Sequence, residues 1–288
     1  MKLEKRFPKK RIIITGSGSG IGLKLALEFA GMNWRIAIAE IDKQRAEEAS
    51  ELVRREGGKP LVIQCDVTKP EDFKKILKSV EKEWGGLDIL VNNAGVAACG
   101  IFEEIPLDKW EWILAINQKS IIYGCRTFIP LFKKQKSGYI VNVASNAGIA
   151  SLPLMASYNM TKAAAISMSE TLKNELSPFN IGVSVVCPTF VNTNLFVDPT
   201  AIDERTQKLV DTFFNNTAVS SEKIARHIVQ SIIKNRLYVI TQKDGKFIWR
   251  MKRWFPGLYF KVLAYLYKKG LFDKYLSTLL RILNFKLF

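Results

Sequence analysis

RIIITGSGSGIG, residues 11–22, is the stretch that decides the fold of this 288-residue chain. Its first five residues, Arg11 to Thr15, are mostly apolar and β-branched, as in a parallel strand that is buried on both faces. A glycine-rich turn over 16–22 follows directly and leads into an amphipathic helix pattern. Glycines there let the backbone approach a pyrophosphate, which then meets the N–H groups at the start of the helix. Strand, turn and helix together predict a dinucleotide-binding unit.

The next apolar run indicates which dinucleotide is bound. It extends from Arg35 to Ala39 and ends at Glu40, 24 residues beyond Gly16. A carboxylate there can accept hydrogen bonds from the adenosine ribose and would repel a 2′-phosphate. Ile41 and Ser19 are uncharged, so neither position supplies a positive charge to bind that phosphate. We expect NAD as the cofactor, with NADP less favoured; the alternative is that Glu40 or Asp42 only caps the helix that begins near Lys43.

Strand and helix patterns continue to alternate along the chain. Predicted strands follow at 61–64, 89–91, 139–143, 183–186 and 237–241, with helices at 43–56 and 70–84. Strands separated by helices form a parallel sheet with right-handed crossovers. We therefore predict an α/β fold, a doubly wound parallel sheet of about seven strands. Asp66, Val67 and the run from Asn92 to Gly95 each follow a strand and are expected at the carboxyl edge, where such sheets bind cofactors.

A hydroxyl, a phenol and an ammonium group come together in the stretch from Ser145 to Lys162. Tyr158 and Lys162 are four residues apart, so on a helix they share one face. The lysine charge would there favour the phenolate, because a neighbouring cation lowers the pKa of a tyrosine. Ser145 follows the predicted strand 139–143, and a short loop could bring its hydroxyl beside the phenol. A tyrosine and a lysine at this spacing also occur by chance in many helices.

In the order of its motifs the sequence resembles the short-chain dehydrogenase/reductase family, in its short single-domain branch, from about Lys10 to Thr241. The resemblance implies a Rossmann-type fold and a catalytic set of Asn117, Ser145, Tyr158 and Lys162. Motifs and strand ends together predict a cofactor site formed by Thr15, Gly16, Ser19, Gly20, Ile21, Gly22, Glu40, Asp66, Val67, Asn93, Ala94, Gly95, Tyr158, Lys162, Pro188, Val191 and Thr193. Within this site, Asp66 resembles the residue that contacts adenine.

Hydride transfer between the nicotinamide and a carbinol carbon is the chemistry that the resemblance implies. In the oxidative direction Tyr158 would remove the hydroxyl proton while Ser145 hydrogen-bonds the substrate oxygen. Lys162 would hold the nicotinamide ribose. Asn117 resembles the asparagine that interrupts a long helix and holds a water linked to the lysine.

The chain departs from the family pattern after the predicted strand 183–186. The family usually has Pro-Gly there, whereas this chain has Pro188-Thr189, followed by Val191 and Thr193 in the usual register. Thr193 could bind the nicotinamide carboxamide or a phosphate. The following segment, 194–216, is expected to form a lid over the substrate.

A C-terminal extension, residues 244–288, follows the point where family members typically end. It contains 12 of the 31 aromatic residues, ten basic residues and two acids. Residues 271–284 are amphipathic at helical spacing, and 258–269 could form a second helix. Such helices could lie in a membrane interface, with their cations toward anionic headgroups; alternatively, they pack on the sheet or on a partner subunit. We predict a catalytic domain over 1–243 and a helical extension over 244–288.

Composition excludes several other classes of protein. The net charge of +16 is concentrated at the two ends of the chain, and no nucleic-acid-binding motif accompanies it. The four cysteines are widely spaced and are expected to be buried thiols in a reducing compartment. One histidine cannot form a multi-histidine metal site, and we expect no metal. No uncharged apolar run reaches 18 residues and the N-terminus lacks a signal-peptide core, so we expect a cytoplasmic protein that could contact a membrane peripherally.

The substrate is left open by the sequence. Apolar residues near the catalytic stretch, such as Leu152 and Leu154, suggest a lipophilic alcohol or ketone of the steroid, retinoid or acyl-chain kind. A small soluble ketol of the acetoin kind is an alternative substrate. A catalytically idle, NAD-sensing membrane adaptor is a further alternative, against which the intact Ser145, Tyr158 and Lys162 count. We also expect a homo-oligomer, either a dimer or a tetramer.

Overall fold

The computed structural model describes residues 3–189, 191 and 219–272. Its seven strands are β1 (Arg11–Thr15), β2 (Arg35–Glu40), β3 (Lys59–Gln64), β4 (Ile89–Asn92), β5 (Gly138–Val143), β6 (Ile181–Val186) and β7 (Tyr238–Val239). They form one parallel sheet in the order β3-β2-β1-β4-β5-β6-β7. The predicted α/β, doubly wound Rossmann fold is confirmed. β3 and β6 begin two residues earlier than expected, whereas β7 is shorter than the predicted 237–241.

Helices cover both faces of this sheet. In chain order they are α1 (Leu3–Arg6), α2 (Gly20–Ala30), α3 (Lys43–Arg55), α4 (Pro70–Trp84), α5 (Leu107–Leu114), α6 (Ser120–Gln135), α7 (Ala147–Ala150), α8 (Ala156–Glu175), α9 (Ser221–Lys234), α10 (Lys243–Trp254) and α11 (Pro256–Lys268). A π-helical segment, Ala115–Lys119, joins α5 to α6. This segment contains Asn117, so the long helix is interrupted where the sequence predicts it.

Two apolar cores lie on opposite faces of the sheet. Ile12 and Ile14 of β1 pack into the core that also contains Phe29 of α2. Ile13, between them, packs into the second core with Phe128 of α6. Successive side chains of a strand point to opposite faces, so the middle of a strand that is covered on both sides is apolar at successive positions. All five residues of β1 are buried, and the charged Arg11 at its start is paired with Asp88 at 2.9 Å.

The C-terminal extension begins with a helix that the sequence pattern did not predict. α10 starts at Lys243, close after β7, and ends before Pro256, which stands in the first turn of α11. Proline has no N–H and is tolerated at that point, so it separates the two helices. α11 corresponds to the predicted helix 258–269. The predicted helix 271–284 lies almost wholly outside the described residues, as do Thr193 and the predicted lid 194–216.

The structure also bears on the cysteines and on membrane crossing. All four cysteines are buried free thiols, as expected. Within the residues that the structure describes, no helix is long and apolar enough to cross a bilayer.

Candidate active site

The glycine-rich turn between β1 and α2 has the shape of a phosphate cradle. Gly16 and Gly20 have φ angles of +62° and +55°, values that residues with side chains rarely adopt. A methyl group on Gly22 would come within 2.4 Å of the Gly16 carbonyl oxygen, so only glycine fits there. Ser19 precedes α2 without a side-chain capping bond. The Ser19 side chain therefore does not occupy the N–H groups of the first helical turn, and these groups can bind an anion. The glycine-rich turn and the start of α2 together fit a dinucleotide pyrophosphate.

Thr15 locks this turn to the loop that follows β4. The Thr15 hydroxyl oxygen accepts hydrogen bonds from the backbone N–H groups of Asn93 (3.0 Å) and Ala94 (3.1 Å). In return, the Asn93 side-chain amide donates to the carbonyls of Thr15 (2.9 Å) and Gly16 (3.0 Å). β1 and β4 are neighbours at the centre of the sheet, so these bonds fix two cofactor loops relative to each other. Thr15 and Asn93 act by positioning backbone.

Glu40 faces the glycine-rich turn from the end of β2. One carboxylate oxygen accepts a hydrogen bond from the Gly18 N–H (3.0 Å), and the other accepts one from the Ile41 N–H (3.0 Å). The capping role that the sequence left open belongs to Asp42, whose side chain accepts from the N–H of Arg45 at the start of α3. The Arg45 guanidinium is paired with Asp42. Glu40 is therefore not the helix cap, and its predicted contact with the adenosine ribose stays a prediction.

Asp66 lies at the carboxyl edge after β3, as predicted, and its carboxylate is used locally. It accepts hydrogen bonds from the N–H (3.0 Å) and the hydroxyl (2.7 Å) of Thr68 and pairs with Lys69 at 3.3 Å. These bonds shape the loop that also carries Val67. The predicted contact with adenine stays a prediction.

Ser145, Tyr158 and Lys162 come together between the end of β5 and the start of α8. The Ser145 hydroxyl accepts a hydrogen bond from the Ala147 N–H (3.1 Å) and lies 3.4 Å from the Pro188 carbonyl oxygen, and it is close enough to the Tyr158 phenol to lower the pKa of that phenol. The Lys162 ammonium donates to the Val143 carbonyl (3.1 Å) and lies 5.5 Å from the centre of the Tyr158 ring. The structure thus brings the three predicted side chains into one group.

Burial dominates the ionisation of this group. It raises the pKa of the Tyr158 phenol to about 12, and the hydrogen bond with Ser145 opposes this rise. Burial also lowers the pKa of the Lys162 ammonium to about 8. The sequence-based expectation was that the lysine charge lowers the pKa of the phenol. Desolvation outweighs that effect here, because apolar side chains surround the phenol.

Asn117 and Gly95 join the catalytic group to the cofactor loops. The Asn117 side chain accepts from the Val96 N–H (2.8 Å) and donates to the Val96 carbonyl (2.8 Å) and the Thr161 hydroxyl (3.2 Å). A methyl group on Gly95 would stand 3.2 Å from the Lys162 ammonium and 3.3 Å from the Asn117 side-chain oxygen. The side chain of Asn117 therefore holds the loop after β4 in place, and its predicted link to a water stays a prediction.

Pro188 and Thr189, where the family pattern is broken, form a junction with the extension. The Pro188 carbonyl accepts a hydrogen bond from the N–H of Asn146, next to Ser145 (2.8 Å). Thr189 donates its N–H to the Gln242 side chain (3.0 Å), and its hydroxyl lies 3.5 Å from the buried Asp244 carboxylate. Val191 packs against the first core. The extension therefore contacts the turn at which the predicted nicotinamide site begins.

Further along, the extension is bonded to α7, which begins shortly after Ser145. The Lys252 ammonium donates to the Ile149 carbonyl (2.6 Å) and the Ser151 hydroxyl (2.9 Å), and the Tyr259 hydroxyl donates to the Ala150 carbonyl (2.7 Å). These contacts were missed from the sequence because they join residues more than 100 positions apart.

A cluster of apolar side chains encloses the Tyr158 phenol, and we call it the apolar cluster. It receives Phe272 from beyond α11, with Ile248 of α10 and Leu263 of α11 packed against it. Its remaining buried members are Val96, Ala97, Cys99, Ile113, Ala147, Ala150, Leu152, Met155 and Tyr158 itself. The extension thus contributes side chains to the apolar cluster that contains Tyr158.

Comparison with known proteins agrees with this arrangement. A sequence model described as short chain dehydrogenase matches residues 10–205, which carry every motif of the site. The chain belongs to the short chain dehydrogenase family. The family assignment makes it an oxidoreductase.

Several relatives resemble this short chain dehydrogenase over most of its length. The CLA biosynthesis dehydrogenase/reductase of Lactiplantibacillus plantarum is 29% identical over 83% of this chain and 90% of that protein. The probable oxidoreductase EphD of Mycobacterium tuberculosis is 32% identical over 78% of this chain. The matched region covers only 40% of EphD. The crystal structure of a short chain dehydrogenase/reductase from Burkholderia phymatum in complex with NAD has a TM-score of 0.77 at 27% identity. The structural match covers 84% of this chain and 92% of the Burkholderia phymatum chain.

Replacing Tyr158 by phenylalanine should lower turnover of this short chain dehydrogenase by at least about 100-fold, because only the acid/base group is lost. Cofactor affinity should change little. Steady-state rates and cofactor titrations measure the two effects, with Tyr123→Phe in α6 as a control for removal of a phenol hydroxyl. A Tyr158→Phe enzyme that kept more than about a tenth of the wild-type rate would show that another group moves the proton.

Replacing Lys162 by methionine should impair activity and cofactor binding but stabilise the fold. The lowered pKa of Lys162 means that keeping its charge buried costs free energy, on the order of 1–3 kcal/mol below pH 8. Above about pH 8 the folded protein releases this proton more readily than the unfolded chain, so the cost falls as the pH rises. Urea unfolding of both proteins at about pH 7 and pH 10 measures the difference. If the difference in unfolding free energy between Lys162→Met and the wild type were the same at about pH 7 and about pH 10, the assigned burial cost would be contradicted.

Proposed function

We propose that this chain is an NAD-dependent oxidoreductase that transfers hydride between the nicotinamide and a lipophilic secondary alcohol or ketone. One observation carries the proposal. Ser145, Tyr158 and Lys162 converge at the carboxyl edge of the sheet, where Lys162 lies next to Gly95 of the loop that is bonded to Thr15, and Tyr158 belongs to the apolar cluster. This arrangement combines a proton-transfer group, a cofactor cradle and an apolar wall for the carbon skeleton.

The proton chemistry follows from the residues around the reacting oxygen. In the direction of oxidation the Tyr158 phenolate takes the hydroxyl proton of the substrate, and the Ser145 hydroxyl hydrogen-bonds the same oxygen. In the direction of reduction the phenol returns the proton, and the raised pKa of Tyr158 keeps that proton in place at neutral pH. Bound NAD supplies the hydride acceptor. Lys162 would hold the nicotinamide ribose and bring its positive charge close to the phenol.

NAD is favoured over NADP by the surroundings of Glu40. Its carboxylate is held beside Gly18 by backbone hydrogen bonds, so its negative charge is fixed where a 2′-phosphate would lie. Arg45 is the nearby cation, and its pairing with Asp42 directs it away from that role. The solved relative from Burkholderia phymatum was crystallised with NAD, which supports the same choice.

A lipophilic substrate is supported by the apolar cluster to which Tyr158 belongs. Val96, Leu152 and Met155 from the catalytic domain and Phe272 from the extension are buried members of the same cluster. A polar ketol would leave its second oxygen unpaired among these side chains, which costs free energy. A hydrocarbon group would gain about 0.8 kcal/mol for each methylene that is buried.

Cofactor choice is tested by exchanging the charge at the end of β2. Wild-type enzyme should bind NADH more tightly than NADPH. Glu40→Ser with Ile41→Arg should move the preference toward NADPH, since attraction replaces repulsion at the 2′-phosphate. Fluorescence titration of both reduced cofactors on both proteins gives the dissociation constants. Tighter binding of NADPH to the wild type would contradict the assignment.

Substrate class is tested with secondary alcohols of increasing chain length. The value of kcat/KM for NADH production should rise roughly threefold to fourfold per methylene until the apolar cluster is filled. Leu152→Ala should flatten this rise, and Leu107→Ala on the exposed start of α5 serves as the matched control. A higher kcat/KM for short ketols would instead establish a small soluble substrate. Tight NADH binding without turnover of any alcohol or ketone would establish the idle adaptor.

A further inference from the structure

The outer face of the extension carries large apolar side chains that the structure leaves uncovered. Trp254 at the end of α10 is 69% exposed, Leu258 is 55% exposed and Tyr265 is 58% exposed. Leu258, Val262 and Tyr265 recur at spacings of four and three, so they form one stripe along α11. Together with Trp254 and Phe255 at the corner between the helices, these five residues are called the outer stripe.

Positive charge surrounds the outer stripe. Residues 245–272 contain seven basic residues and no acidic one. Lys261, Lys268 and Lys269 of α11 and its C-terminus are exposed and lie beside the stripe on the helix surface. A surface that combines aromatic and aliphatic side chains with a rim of lysines matches the interface of an anionic lipid bilayer.

The inner face of the same helix is already occupied. Tyr259 donates its hydroxyl proton to the Ala150 carbonyl, and Leu263 packs against the apolar cluster. α11 is therefore fixed to the protein by one side, and the outer stripe is a second, separate apolar face. Because the inner face of α11 already packs on the body of the protein, contact with the core does not explain why the outer face is apolar as well.

Charge also decides between the partners that could cover this face. A second copy of the chain docking through the same surface would bring two sets of lysines together with no acidic residue to pair them. Residues 273–288 add three more basic residues and one acid, so this segment has the same sign as the surface. An anionic lipid surface instead supplies negative charge together with an apolar layer for the aromatic side chains.

We propose that α11 and the end of α10 dock on an anionic membrane surface, with the outer stripe inserted among the lipids. α11 is about 10 Å thick including its side chains. Docking would thus hold the apolar cluster around Tyr158 roughly one helix diameter from the bilayer. A lipophilic substrate dissolved in the membrane would then have a short path to the active site. The docking itself does not depend on the proposed function.

Vesicle flotation of the full-length protein tests the docking. The protein should bind vesicles of phosphatidylcholine containing about one third phosphatidylglycerol and should bind pure phosphatidylcholine at least about tenfold more weakly. Raising NaCl from about 50 to 500 mM should weaken the binding without abolishing it, because the insertion of apolar side chains is not screened. Wild-type protein that stays unbound with anionic vesicles at low salt would overturn the proposal.

Surface variants separate the outer stripe from other apolar residues. The triple variant Trp254→Ser, Leu258→Ser, Tyr265→Ser and the charge variant Lys261→Glu, Lys268→Glu should each weaken vesicle binding at least about tenfold. Leu107→Ser removes a leucine on α5 that is more exposed, at 82%, than any residue of the triple variant, and it should leave binding unchanged. Equal loss of binding in Leu107→Ser and in the triple variant would overturn the proposal.

Two controls keep the outcome interpretable. All variants should retain the wild-type melting temperature and NADH affinity, since the substituted side chains point away from the body of the protein. Point variants are used instead of truncation because α10 and α11 cover the apolar cluster. The molar mass of each protein in solution is measured in parallel. If the triple variant lowers the oligomeric state and leaves vesicle binding intact, the outer stripe is an interface between copies, and membrane docking is wrong.

Discussion

The buried ammonium group of Lys162 is the constraint around which the active site is assembled. Only 2% of this residue is exposed, and its hydrogen bond to the Val143 carbonyl ties α8 to the end of β5. Gly95 leaves room for the ammonium group, and Gly148 allows α7 to lie against the backbone of α8. A methyl group on Gly148 would come within 2.5 Å of the Lys162 backbone and would push α8 outward together with Tyr158, whereas one on Gly95 would crowd the Lys162 ammonium group. The geometry of the candidate site therefore depends on close backbone contact as much as on its polar side chains.

The sheet and most of the site could be predicted because they rest on local patterns. The three central residues of β1 are apolar because both faces of the strand are covered, and three predicted site segments, at Asp66, Asn93 and Ser145, follow strands of the sheet. The sequence could not show which of two neighbouring carboxylates caps α3, because Glu40 and Asp42 both stand between β2 and that helix. They differ in their hydrogen-bond donors: Glu40 accepts from the Gly18 N–H, and Asp42 accepts from the Arg45 N–H. The ionisation of Tyr158 was predicted in the wrong sense. Its environment comes from side chains distant in the chain, which spacing along one helix does not reveal.

The two features that set this chain apart from its family pattern are in contact. Thr189 stands where the family usually has glycine, and it is held by Gln242 and Asp244 just before and within the first turn of α10. Burial raises the pKa of the Asp244 carboxyl, so a proton is retained there more readily than on an exposed aspartate. A neutral carboxyl group fits this crowded junction better than a charged one. The replacement of glycine and the added helices can be understood as one structural change.

The attachment of the extension to α7 has a consequence for how the protein is made. Lys252 and Tyr259 bind carbonyl groups that precede them by 103 and 109 positions. During synthesis the chain emerges from its amino end, so the sheet through β6 can assemble before these partners exist. The apolar side chains around Tyr158 then remain uncovered until residue 272 has left the ribosome. For that interval the nascent enzyme displays the kind of surface that chaperones bind, and its active site is the last region to close.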